Sequence, residues 1–140
     1  MDKVGIKELS KLFNVSEQTV RFYDSKGLFP FFYRESNNYR FTYEKDLQWF
    51  RMVFLLRKSG MEIKNIQRYI NLCMEGDQTL IERLEIIQSQ KISLQSKIDD
   101  LQDEMRVLTS KEQHYQMVIE TGTVDDWNPV NFKELLQKTN

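Results

Sequence analysis

From Thr79 to Glu120 the chain contains neither proline nor glycine. Within that run Leu80, Leu84, Ile87, Lys91, Leu94, Ile98, Leu101, Met105, Leu108, Glu112, Tyr115 and Ile119 follow one another in alternating steps of four and three, and ten of the twelve are apolar or aromatic. A mean step of about 3.5 residues is the period that keeps one helix stripe turned toward a partner helix. At 1.5 Å per residue the run predicts a single helix of roughly 60 Å. Its apolar stripe is narrow and its flanks are acidic and dotted with lysine, so it cannot be hidden on a small neighbouring domain. The pattern therefore requires a partner helix, most simply the same helix of a second copy. Leu84, Ile87, Leu94, Ile98, Leu101, Met105, Leu108 and Tyr115 are the expected dimerisation residues.

The 140 residues leave room for one small domain beside this helix. No apolar stretch approaches the roughly 20 residues needed to cross a bilayer, and "MDKVGIKELSK" lacks the apolar core of a secretory signal, so no membrane partner is expected and a cytoplasmic location is. Cys73 is the single cysteine, which excludes an internal disulfide; there is no CxxC and no paired His/Cys spacing, so neither a metal nor a cofactor is expected. His114 reads as a lone surface residue and the acids Asp99, Asp100, Asp103 and Glu104 as a solvated face. The net charge of −1 conceals an asymmetry. Residues 1–60 carry eleven Lys/Arg against seven Asp/Glu, whereas residues 61–140 carry nine against fourteen. Only local positive potential is needed to neutralise phosphates, so a polyanion would meet the front of the chain.

That front has a recognisable organisation. Ile6, Leu9, Leu12 and Phe13 recur at helical spacing up to a break at Asn14, and a second helix opens on Ser16 as N-cap with Glu17 in its first turn, ending at Gly27. Two short helices joined by a tight turn form a helix-turn-helix. Val20 should point inward with Phe22 nearby, leaving Gln18, Thr19, Arg21 and Tyr23 outside. "FPFFYRESNNYRFTY", Phe29 to Tyr43, then holds seven rings and two arginines around the turn-like "ESNN", which predicts a two-stranded wing with Asn37 or Asn38 at positive φ. One face of so small a hairpin has to pack on the helices, which accounts for many of the rings. A third helix is expected across "EKDLQWFRMVFLLRK", with Leu47, Phe50, Phe54, Leu55 and Leu56 in its apolar pattern and Gly60 as its stop. A fourth follows in "EIKNIQRYINLCM", up to the break at Glu75 to Asp77. The chain thus divides into a front domain at 1–76, a coiled-coil helix at 77–121 and a tail at 122–140, where Trp127 and Phe132 should dock.

The stretches "IKELSKLFNVSEQTVRFYDSKGL", "NYRF" and "DLQWFRMVFLLRKSGMEIKNIQRYI", followed by "GDQTLIERLEIIQSQK", resemble the MerR family of bacterial transcription regulators over about Val4 to Gln90. The resemblance implies a mainly α protein in which a winged helix-turn-helix DNA-binding domain precedes a long antiparallel coiled-coil dimerisation helix. It implies a homodimer on double-stranded DNA at a near-palindromic promoter operator, distortion of that DNA so that RNA polymerase can engage it, and no enzymatic activity. By position, Gln18, Thr19 and Arg21 are implied at base edges or adjacent phosphates, Tyr23 at a phosphate, and Arg34, Tyr39 and Arg40 on the backbone along the wing. Tyr115, Trp127 and Phe132 are the candidates for contact with a small-molecule effector.

Three positions depart from the family pattern. Asn38 replaces a glycine, Thr42 a frequent tyrosine, and Leu55 the cysteine of a thiol-sensing subgroup. Cys73 is expected to be a small buried residue near a helix end. The competing functional class is a coiled-coil adaptor or a recombination-type accessory DNA-binding protein using the same wing.

Overall fold

The computed structural model describes residues 2–130. Elements follow in the order β1 (Lys3–Gly5), α1 (Ile6–Phe13), α2 (Glu17–Ser25), β2 (Tyr33–Arg34), β3 (Arg40–Tyr43), α3 (Leu47–Lys58), α4 (Ile63–Glu75) and α5 (Leu80–Thr121). They fall into two compact units, Met1–Leu94 and Gln95–Asn140, whose boundary lies inside α5. Among the described residues no helix is long and apolar enough to cross a membrane.

In the first unit, both ends of α1 and the start of α2 are set by chemistry legible in the residues. The Glu8 carboxylate accepts a hydrogen bond from the Gly5 N–H at the start of α1. Asn14, at φ 53°, closes α1 in the left-handed region that a short polar side chain tolerates. Ser16 caps α2 by accepting from the Thr19 N–H at 3.0 Å. The core joins Ile6 and Leu9 of α1, Val20 of α2, Leu28 and Phe29 of the following loop, Phe50, Val53 and Leu56 of α3, and Met61, Ile66 and Ile70 reaching into α4. Three apolar expectations fail at this level: Leu12, Leu55 and Phe22 are exposed. Leu55 lies about 140° around the helix from Phe50 at 3.6 residues per turn, so burying Phe50 and Val53 turns it to solvent.

The wing is a three-stranded antiparallel sheet in the order β1-β3-β2, with Val4 opposite Thr42 and Tyr33 opposite Phe41. A two-stranded hairpin was the expectation; the extra strand comes from the residues just before α1. Because β3 is central both its edges are paired, and its consecutive residues Phe41 and Thr42, which point to opposite faces, are both buried. The Thr42 hydroxyl donates to the Phe31 carbonyl at 2.8 Å, so the residue that departs from the family pattern is an internal tie. Asn38 stands at φ 65° and closes the turn through its N–H to the Glu35 carbonyl at 2.9 Å. The rings divide into two sets. Phe29, Phe31 and Phe32 fasten the segment to α3, with Phe29 stacked on Phe50 at 4.4 Å and Phe31 against Trp49 at 5.6 Å. Tyr33, Tyr39 and Tyr43 instead surround Phe41 within the sheet, at centroid distances of 5.6 to 6.3 Å.

The turn between α4 and α5 is held by one buried hydroxyl. Thr79 donates to the Leu72 carbonyl at 2.6 Å and accepts from Arg83 Nε at 3.0 Å, while the same guanidinium donates to the Gly76 carbonyl at 3.1 Å. One turn further on, Ile86 packs on the core and the Gln90 amide donates to the Ser59 carbonyl at 3.0 Å, securing the start of α5 to the end of α3.

The expected seam residues Leu84, Ile87, Leu94, Ile98, Leu101, Met105, Leu108 and Tyr115 are each more than a third exposed in the single chain. In the second unit, Gly122 at φ 67° ends the helix and the chain returns to it. His114 Nε2 lies 2.7 Å from Asp125 Oδ1, and Trp127 stacks on the His114 ring at 4.2 Å with 14° between the planes. The His114 side chain is only 8% exposed, so it is not the lone surface residue that its spacing suggests. Its partner stands eleven positions away, beyond a chain reversal that helix periodicity does not register.

Candidate nucleic-acid interface

Burial of Val20 fixes the rotation of α2 and thereby decides what its outer face carries. Gln18, Arg21 and Phe22 are exposed, whereas Thr19 and Tyr23 are half-buried at the flank. Thr19 lies 2.8 Å, hydroxyl to hydroxyl, from the N-cap Ser16. The Tyr23 ring rests on Phe54 at 5.8 Å and on Phe29 at 6.4 Å. The two consecutive rings of α2 are thus the reverse of the expectation: Tyr23 faces the core side and Phe22 the outside. Sequence spacing offered a signal for this, since Phe22 stands four residues after the outward Gln18.

The wing arginines converge on α2 through a residue that sequence reading passed over. Asp24 Oδ2 lies 3.2 Å from Arg40 Nε and 3.5 Å from a terminal nitrogen of Arg34. Arg40 Nε is buried and too far out of line with that oxygen for a hydrogen bond, so the attachment is ionic. A carboxylate on α2 between two guanidiniums of the wing ties helix and wing into one charged face. A cleft of about 220 Å³ between them is lined by Lys7, Glu17, Arg21, Asn38, Tyr39 and Arg40 among others, which brings three expected contact residues together. Tyr39 is 43% exposed and stacks on Phe41. Gly5 permits this placement, because a Cβ there would lie 2.3 Å from the Tyr39 hydroxyl. Gln18, Thr19 and Tyr23 line a neighbouring depression with Ser16, Phe22, Arg57 and Ile63.

The sequence model of the MerR HTH family of regulatory proteins matches residues 5–73, the span that runs from the end of β1 through α1, α2, β2, β3 and α3 into the last turn of α4. An uncharacterized HTH-type transcriptional regulator of Haemophilus influenzae is 37% identical over 111 residues, covering 79% of this chain and 82% of the relative. This chain belongs to the MerR family. Its fold is shared with the crystal structure of HiNmlR, described as a MerR family regulator lacking the sensor domain and bound to promoter DNA, at a TM-score of 0.75 and 30% identity over 87% of this chain and 97% of the other. A MerR family regulator from Listeria monocytogenes aligns with a TM-score of 0.75 and 28% identity over 98% and 99% of the two chains. As a member of the MerR family, this chain is a DNA-binding transcription regulator and not an enzyme.

Outside this face, two groups of chemistry-bearing residues stand out. Cys73 is half-buried on α4, and burial, followed by the neighbouring thiol, raises the Tyr69 hydroxyl above its ordinary value. The ligand-type atoms of His114, Asp125 and Asp126 lie within 4.8 Å of one another. The hydrogen bond from His114, aided by the Trp127 N–H, holds the Asp125 carboxyl below its ordinary value against the opposing effect of desolvation. Of the expected effector residues, Tyr115 and Trp127 both meet the His114 ring, at 5.6 and 4.2 Å, and Phe132 lies outside the described residues.

Proposed function

We propose that the protein binds a near-palindromic promoter operator as a homodimer and regulates transcription by distorting that DNA. The observation that carries this reading is the joint face of α2 and wing, where Arg34 and Arg40 both meet Asp24 and where Arg21 and Arg40 line one cleft. Phosphate contacts from such a face set register, while exposed Gln18, with Thr19 beside it, supplies polar groups for base edges. The apolar stripe of α5 supports the second half of the proposal. Antiparallel pairing of two copies would relate their reading faces by a twofold axis, which is the symmetry of a near-palindromic site. Bending or untwisting the DNA costs a few kcal/mol, up to about 10 in stiff sequences, and phosphate contacts on both half-sites offset it. RNA polymerase then responds to the altered promoter shape, and a small molecule held near Tyr115 and Trp127 is the signal this reading accommodates. Replacing Leu101 by Glu tests it. The variant should sediment as a monomer and lose its footprint on a two-half-site duplex, and a dimeric variant with an intact footprint would refute the proposed assembly.

A further inference from the structure

Phe22 also stands on the outer face of α2. We propose that it reads sequence, by packing its ring against the 5-methyl group of a thymine in the major groove. This rests on α2 being the DNA-reading helix. The ring is 47% exposed, although Val20, two positions before it, is buried and the adjacent Tyr23 is half-buried against the core. Phe22 stands one turn after Gln18, which lies between Phe22 and Arg21 around the helix at about 100° per residue, so a groove that receives those two polar side chains meets the ring at the edge of the same face. Lys26 Nζ lies over one side of it at 5.5 Å, which keeps a cation available to the adjacent phosphate. Phenylalanine has neither donor nor acceptor and therefore cannot read polar base edges. Among the groups lining the major groove, the thymine methyl is the one whose burial rewards an apolar ring. The arginine and lysine beside the ring match a polyanion and argue against an apolar protein surface as its occupant.

The test uses the full-length protein. A preferred duplex is first selected from random sequence, and each thymine is then replaced by deoxyuridine, which removes only the 5-methyl group. At one symmetry-related pair of positions the replacement should weaken binding about four-fold per half-site, the equivalent of one buried carbon. Phe22→Ala should bind the thymine and uracil duplexes equally, and Phe22→Leu should retain part of the difference. Thermal unfolding of both variants should match the wild type, because the ring is outside the core. The proposal falls if no deoxyuridine weakens wild-type binding, or if Phe22→Ala is weakened to the same degree. If the wild type prefers no duplex at all, the assignment of α2 as reader falls with it. A loss of transcriptional control in Phe22→Ala with the methyl discrimination unchanged would assign the ring to a protein contact and overturn the proposal.

Discussion

Replacing Thr79 by valine removes one hydroxyl from the α4–α5 turn and leaves its shape intact. Thr79 is 3% exposed, so water cannot easily substitute for what is lost. Its single proton goes to the nearer carbonyl, Leu72 at 2.6 Å, because the Gly76 carbonyl at 2.8 Å already receives the Arg83 guanidinium and the Thr79 N–H. Valine therefore costs the Leu72 carbonyl this donor and deprives Arg83 Nε of its acceptor. A net hydrogen bond contributes about 1 kcal/mol and a stranded buried group costs about 1–3 kcal/mol, so a loss of about 2 kcal/mol is expected. With a urea slope near 2 kcal/mol per molar, the midpoint should fall by about 1 M at unchanged slope. The assay is far-UV circular dichroism at one fixed protomer concentration, since subunit association would make the midpoint concentration-dependent. Arg83→Met should then cost less in the Thr79→Val background than in the wild type, because the two side chains share one bond. A midpoint shift under about 0.3 M, or strictly additive effects, would refute the view that this hydroxyl organises the turn.

Two further outcomes follow from the charged groups. Asp24→Asn should raise affinity for random DNA, by removing a negative charge near phosphates, yet lower the ratio of operator to random binding about five-fold, because Arg34 and Arg40 lose their common anchor. Competition binding at constant salt measures that ratio, and an unchanged value would remove Asp24 from any positioning role. For Asp125, the folded-state pKa is lowered, so its stabilising contribution is complete above the ordinary carboxylate value of about 4 and is lost as the pH falls through the lower folded value. In a Trp49→Phe background, the acid limb of the Trp127 fluorescence titration should therefore move upward in His114→Ala; coincident limbs would show that His114 does not hold the carboxylate.

Much of the fold is legible because it depends on near neighbours in sequence. The limits of α5, the cap at Ser16 and the positive φ at Asn38 each follow from a few adjacent residues and their steric or hydrogen-bonding needs. The failures share a different cause. Strand β1 is three residues long and exists because β3 offers it an edge, so Lys3–Gly5 carries no independent signal. Leu55 and Phe22 are apolar residues whose exposure is set by which neighbour wins the core, and that competition is decided by α1, α3 and α4 together.

The same distinction separates the parts of the candidate interface. Arg34 and Arg40 were readable as wing arginines, but the carboxylate that joins them sits on another element, ten residues before the first. Asp24 in isolation looks like any polar residue near a helix end. Its meaning appears only when the wing folds back over α2, since one oxygen can approach two guanidiniums only if the chain has brought them together. The consequence is physical coupling: a change in wing position moves the arginines relative to Gln18 and Arg21 on α2. Under the proposed function, in which the helix reads bases and the wing holds backbone, the carboxylate between them fixes how far apart those two kinds of contact fall along the DNA.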